Sequence, residues 1–155
     1  MIRISSLLEP SAIAADINVA SKTSLFEKLA ELAARVYNVD SGVVAEGLLE
    51  RERLGPTGFG GGTAISHCKL ATLTAPVGLF FRLAKPVDYL AVDDEPVDLV
   101  FCLISPSRDG AAHLRALAEV SRMFRNDKFC SHLRGAGDAD ALFALMHEDE
   151  ERDAA

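Results

Sequence analysis

Apolar residues recur along this chain with two different periods, and the change of period divides it into helical and strand segments. From Ser21 to Tyr37, Leu25, Leu29, Leu32, Ala33 and Val36 fall at helical spacing, predicting an amphipathic helix capped by Ser21. A second helix begins at Asp40 or Ser41, carries Val44, Leu48 and Leu49 on one side and stops at Gly55-Pro56; Arg51 and Arg53 suit its C-terminal end. Ahead of both, the opening residues predict only a short strand or turn. Beyond Gly62 the period shortens. Thr63 to His67 reads as a short strand, and Val77, Leu79, Phe81 and Leu83 alternate with Gly78, Phe80 and Arg82 as a longer one. Leu99 to Ile104 is apolar on both faces, as a central strand covered by helices on each side must be.

Helical spacing returns from Gly110 to Phe124, with Asp109 as cap and Leu114, Leu117, Ala118, Ser121 and Phe124 as the inner stripe. Shorter helices are predicted over Lys128 to Leu133 and Asp138 to His147. The acidic tail over 147–155 is expected to fray, because carboxylates oppose the dipole at a helix C-terminus. Helices, then strands, then helices predict one α/β domain over 1–155, an α/β/α sandwich with a mixed central sheet.

Composition narrows the setting. The 155 residues are 49% hydrophobic and 25% charged, which fits a globular domain with a real core and not a disordered chain. A formal net charge of −7 argues against a nucleic-acid or anionic-membrane surface. No run is long enough to span a bilayer, and the first residues lack the pattern of a secretory signal. The three cysteines, Cys68, Cys102 and Cys130, are odd in number and far apart, so the expected setting is a reducing cytoplasm without disulfides.

Five glycines stand in the eight positions from Gly55 to Gly62, just before His67. A Walker loop needs a lysine after its last glycine, and a dinucleotide fingerprint needs a strand before and a helix after; neither is present. An anion cradle built of backbone N–H groups and a simple tight turn both remain open. His67 and Cys68 are consecutive on a strand and point to opposite faces, so they do not form a catalytic pair. His67, His113, His132 and His147 share no ligand spacing, and no metal site is expected. His113, near a helix start, is either a neutral imidazole beside a phosphate-attracting site or a solvated residue; Arg51 and Arg53 are either part of such a site or simply complement a helix end. His132 and His147 read as surface residues.

The segment Arg51 to His67 resembles the phosphorylation-site motif of the IIA components of the bacterial sugar phosphotransferase system. The likeness is strongest to the nitrogen-regulatory type, with the mannitol and fructose IIA domains as near relatives. The family pattern is an Arg-Glu pair, a Thr-Gly-x-Gly loop and Ala-Ile-Pro-His, matched at Arg51, Glu52, Thr57, Gly58, Gly60, Ala64, Ile65 and His67. Ile4 to Leu8, Ser21-Lys22, Val97 to Val100 and the His113 to Ala118 helix extend the likeness over nearly the whole chain. Two positions depart from it: Ser66 stands where the family has proline, restoring a backbone N–H and loosening φ, and Pro56 stands where serine is common.

The resemblance implies that His67 is the phosphoacceptor of a phosphotransferase component, flanked by Arg51 and His113, with Thr57, Gly58 and Gly60 helping to hold the phosphate. It implies no cofactor, an HPr-like phosphocarrier protein as donor, and regulatory target proteins linked to nitrogen and potassium control; a homodimer is compatible with it. A IIA subunit serving a separate sugar-specific IIB, and an interaction module that kept only the fold, are the competing functions.

Overall fold

The computed structural model describes residues 3–91 and 93–154, with side chains through residue 148. The chain opens with a single turn, α1 (Ile4–Leu7), and a ten-residue strand, β1 (Leu8–Ile17), where the sequence predicted only a short strand or turn. β1 is an edge strand, interrupted by register shifts and half exposed, so its residues carry no clean alternation to read. Next come α2 (Lys22–Tyr37), capped as predicted by the Ser21 side chain, and α3 (Ser41–Arg53), where of the two predicted starts Asp40 is the cap and Ser41 the first helical residue.

β2 (Gly58–Gly60), β3 (Thr63–Leu70), β4 (Val77–Val87) and β5 (Val97–Pro106) join β1 in a five-stranded sheet of order β1-β4-β5-β3-β2. The β1–β4 and β3–β5 pairs are parallel, β4–β5 and β2–β3 antiparallel, which makes the sheet mixed. β5 is central, and Leu99 to Ile104 are all fully buried. α2 and α3 pack on one face, and α4 (Gly110–Phe124), α5 (Asp127–Gly135) and α6 (Ala139–Ala154) on the other. The result is the predicted α/β/α sandwich.

One predicted face, that of α4, is corrected. On β4, Phe80 and Phe81 are both buried because helices cover both faces. Phe80 lies 6.4 Å from Phe124 of α4, and Gly78 leaves room for the Phe101 ring. On α4 the buried face is Ala112, His113, Ala116, Val120, Met123 and Phe124, while Leu114 is 66% exposed. The alanine-rich helix offers two apolar stripes, and the one carrying His113 is turned inward. α5 and α6 are both longer than predicted, and the tail expected to fray begins within α6; from residue 149 its side chains lie outside the described residues.

Candidate functional site

Three elements converge at the C-terminal end of the parallel β3–β5 pair. The last turn of α3 brings Arg51, the middle of β3 brings His67, and the first turn of α4 brings His113. They border a cleft of about 700 Å³ whose walls also carry Arg53, Leu54 and Lys69.

His67 is fixed at both nitrogens. Its Nδ1 lies 3.0 Å from the Ile65 carbonyl, which only accepts, so Nδ1 carries the proton. Arg51 Nε donates to His67 Nε2 over 3.0 Å, and Arg51 Nη1 donates to the Gly55 carbonyl. Nε2 is therefore the nitrogen with the lone pair, and it faces the cleft's cations. Burial lowers the basicity of His67 and the Arg51 charge adds to this, against the opposing pull of the Ile65 carbonyl. The ring stays neutral at neutral pH.

The His113 ring centre lies 5.4 Å from that of His67. At 6% exposure His113 is buried and not solvated. Burial, helped by His67 and Lys69, pushes its pKa down to about 4. Its Nδ1 is 2.6 Å from the hydroxyl of Ser105, at the end of β5.

Behind Arg51 a buried carboxylate organises the turn. Glu52 accepts from Lys22 Nζ at 2.9 Å, from the Thr57 hydroxyl at 2.6 Å and from the Thr57 amide at 3.1 Å. The Tyr89 hydroxyl lies 2.7 Å from the Thr57 oxygen, and Lys22 Nζ sits over the Tyr89 ring. Thr57 is thus 8% exposed with both its donors committed to Glu52.

Thr57, Gly58 and Gly60 do not line the cleft bordered by Arg51, His67 and His113. Gly58 and Gly60 pair with Ala64 and Thr63 as an edge strand, and Gly58 is flat against Ala91, leaving no room for a β-carbon. Gly60, Gly61 and Gly62 have φ of +106°, +62° and +80°, the turn that glycine alone makes cheaply. That turn already has a partner: Gly61 donates to Asp93, the Gly61 carbonyl accepts from Arg134 Nη2 at 2.7 Å, and Arg134 is also bound to Asp98.

Cys68 packs against Gly47 of α3 and burial pushes its thiol up to about 12, so it is no nucleophile at neutral pH. Ser66 is 1% exposed and its hydroxyl has no nitrogen or oxygen hydrogen-bond partner; the thiol of Cys102, opposite it on β5, is a weak partner within reach. His132 and His147 are exposed. Among the described residues no group of three His, Cys, Asp or Glu is placed to hold a metal ion, and no helix is long and apolar enough to cross a membrane.

Sequence reasoning gave no role to Lys69, Glu52 or Ser105. Lys69 was legible, because residues two apart on a strand share a face. Glu52 was matched only as part of the Arg-Glu pair, and its clasp on Lys22 and Thr57, like the contact of Ser105 with His113, is set by the fold.

A site of one neutral nucleophilic nitrogen ringed by guanidinium, ammonium and imidazole groups is suited to accept an anionic phosphoryl group. Comparison with known proteins gives the family. The family model described as "Phosphoenolpyruvate-dependent sugar phosphotransferase system, EIIA 2" matches residues 6–149. A nitrogen regulatory protein of Bradyrhizobium diazoefficiens is 41% identical over 143 residues, covering 92% of this chain and 94% of the relative. That of Escherichia coli K12 is 35% identical over 151 residues, covering 96% and 92%. The crystal structure of nitrogen regulatory protein IIA-Ntr from Neisseria meningitidis matches with a TM-score of 0.87 at 34% identity, covering 92% of this chain and 98% of that one. The chain belongs to the EIIA 2 family of the phosphoenolpyruvate-dependent sugar phosphotransferase system, with nitrogen regulatory proteins among its relatives.

Proposed function

We propose that the protein is a regulatory phosphocarrier: His67 accepts a phosphoryl group from the phosphohistidine of an HPr-like carrier in the cytoplasm. The resulting phosphorylation state governs its binding to target proteins, in the nitrogen and potassium control associated with the nitrogen-regulatory type. The observation that carries this reading is the His67 tautomer, with Nδ1–H on the Ile65 carbonyl and the Nε2 lone pair toward the cleft.

In the transfer, Nε2 forms its bond to phosphorus as the bond from phosphorus to the carrier's imidazole nitrogen breaks, and that nitrogen keeps the electron pair. No proton has to leave His67, and the positive character it gains is stabilised by the Ile65 carbonyl. Arg51 holds the empty Nε2 and then swings its donor to the phosphoryl oxygens, where His113 adds a second. Thr57, Gly58 and Gly60 serve from behind, by shaping the turn and the strand that fix Arg51 and His67.

The test is incubation with phosphoenolpyruvate, enzyme I and the HPr-like carrier, followed by assay for acid-labile phosphate. Wild type becomes labelled and His67→Ala does not; a labelled His67→Ala protein, or an unlabelled wild type, overturns the assignment. Efficient onward transfer to a fructose- or mannitol-type IIB would reassign the protein to sugar uptake.

A further inference from the structure

A neutral imidazole has a single proton to place, and His113 assists phosphoryl transfer only if that proton is on the nitrogen facing the cleft. We propose that Ser105 is a positioning residue whose buried hydroxyl donates to His113 Nδ1 and so holds the His113 proton on Nε2. This inference rests on the phosphoacceptor reading of His67 for its functional meaning, but its structural content stands apart from it.

Ser105 is fully buried at the end of β5, and its hydroxyl has His113 Nδ1, 2.6 Å away, as its one hydrogen-bond partner among the described residues. Two proton placements are open. If Nδ1–H donated to Ser105, the hydroxyl proton would be left inside the protein with no acceptor, and an unmet buried donor bears its full desolvation penalty. If Ser105 donates to Nδ1, every proton in the pair is matched, and the unused oxygen lone pairs are the lesser loss. The second placement is favoured, and it leaves Nε2–H as the free end of a ring that lines the cleft.

The consequence is a pair of imidazoles protonated on opposite nitrogens. At His67 the partner of Nδ1 is a carbonyl, which only accepts, so Nε2 is bare and nucleophilic. At His113 the partner of Nδ1 is a hydroxyl with a proton to give, so Nε2 is a donor. A bare nitrogen at His113 would present a lone pair to the phosphoryl oxygens and repel them. Because the Ser105 to Lys69 pair lies two residues along the β3–β5 ladder from the His67 to Leu103 pair, both tautomers are set from the same two strands.

The test uses the unphosphorylated full chain carrying 15N-histidine, read by long-range 1H–15N imidazole spectra at neutral pH. Wild type is expected to show His113 with protonated Nε2 and bare Nδ1, the reverse of His67. Ser105→Thr keeps a hydroxyl and is expected to keep this pattern, whereas the nearly isosteric Ser105→Val loses it and accepts phosphate from the carrier about tenfold more slowly. A wild-type His113 protonated on Nδ1 overturns the proposal even if neither variant folds. So does a Val variant with unchanged tautomer and rate. Absence of phosphate on His67 would instead overturn the carrier reading, and the wild-type spectrum would still decide the role of Ser105.

Discussion

Arg51 meets His67 nitrogen to nitrogen, a guanidinium Nε–H donating to an imidazole Nε2 over 3.0 Å, so on the proposed reading the arginine occupies the position an incoming phosphorus would take. Its Nη1 anchors on the Gly55 carbonyl at the same time. Lysine keeps the charge but has no planar fork to serve both sites. Arg51→Lys is therefore expected to slow phosphoryl acceptance by about 100-fold with the fold intact, as measured by rapid quench with phosphorylated carrier. An unchanged rate would reduce Arg51 to a helix-end charge.

Acid should weaken the fold through His113. Its folded pKa of about 4 lies below the ordinary 6.5, so between those values the unfolded chain binds the proton and the folded protein does not. The stabilisation is complete above about pH 6.5 and is lost as pH falls toward 4, amounting to about 2 kcal/mol between pH 7 and pH 5. Urea unfolding at those two values should show the loss in wild type and a shallower one in His113→Asn. Equal slopes would mean that His113 is free to protonate in the folded state.

Glu52→Gln removes the charge that pairs Lys22 and replaces an acceptor used by both Thr57 donors. Thermal unfolding should report a loss of about 2 kcal/mol, with slower phosphoryl acceptance because the turn carrying Gly55 is no longer clasped. If stability falls while the transfer rate holds, the turn does not govern Arg51.

Ser66 reverses the usual direction. Its buried hydroxyl has no nitrogen or oxygen partner and faces only the weakly bonding Cys102 thiol, so Ser66→Ala removes a polar group whose desolvation cost is poorly offset. Chemical denaturation should find the variant as stable as wild type or more stable by about 1 kcal/mol. A loss of that size would reveal a bond to the Cys102 thiol across the ladder.

These residues show what a sequence discloses and what it withholds. Leu99 to Ile104 declared a central strand, because burial on two faces leaves no polar position at all. The α2 and α3 boundaries were legible from Ser21 and Asp40, since capping is a local bond between side chain and amide. The length of β1 was not legible, because an edge strand answers to no single buried face. Leu114 was misplaced because the rotation of α4 is decided by what packs beneath it, and Leu117 fitted either stripe. At the site, the motif around His67 is contiguous and was recognised as a unit. Some of the contacts that support it come from outside: Thr57 gives its donors to Glu52 within the motif, but its oxygen meets Tyr89, thirty-two residues away.

The clasp of Arg134 on the Gly61 carbonyl bears on how another protein meets this one. Three consecutive glycines would ordinarily sample a wide range of backbone shapes, and a docking partner would have to freeze them. Here Arg134, Asp98 and Asp93 have already selected one shape, and the entropy is surrendered when the chain folds. A partner approaching along β2 encounters a rigid template, so the affinity it gains from contacts there is not eroded by ordering the loop.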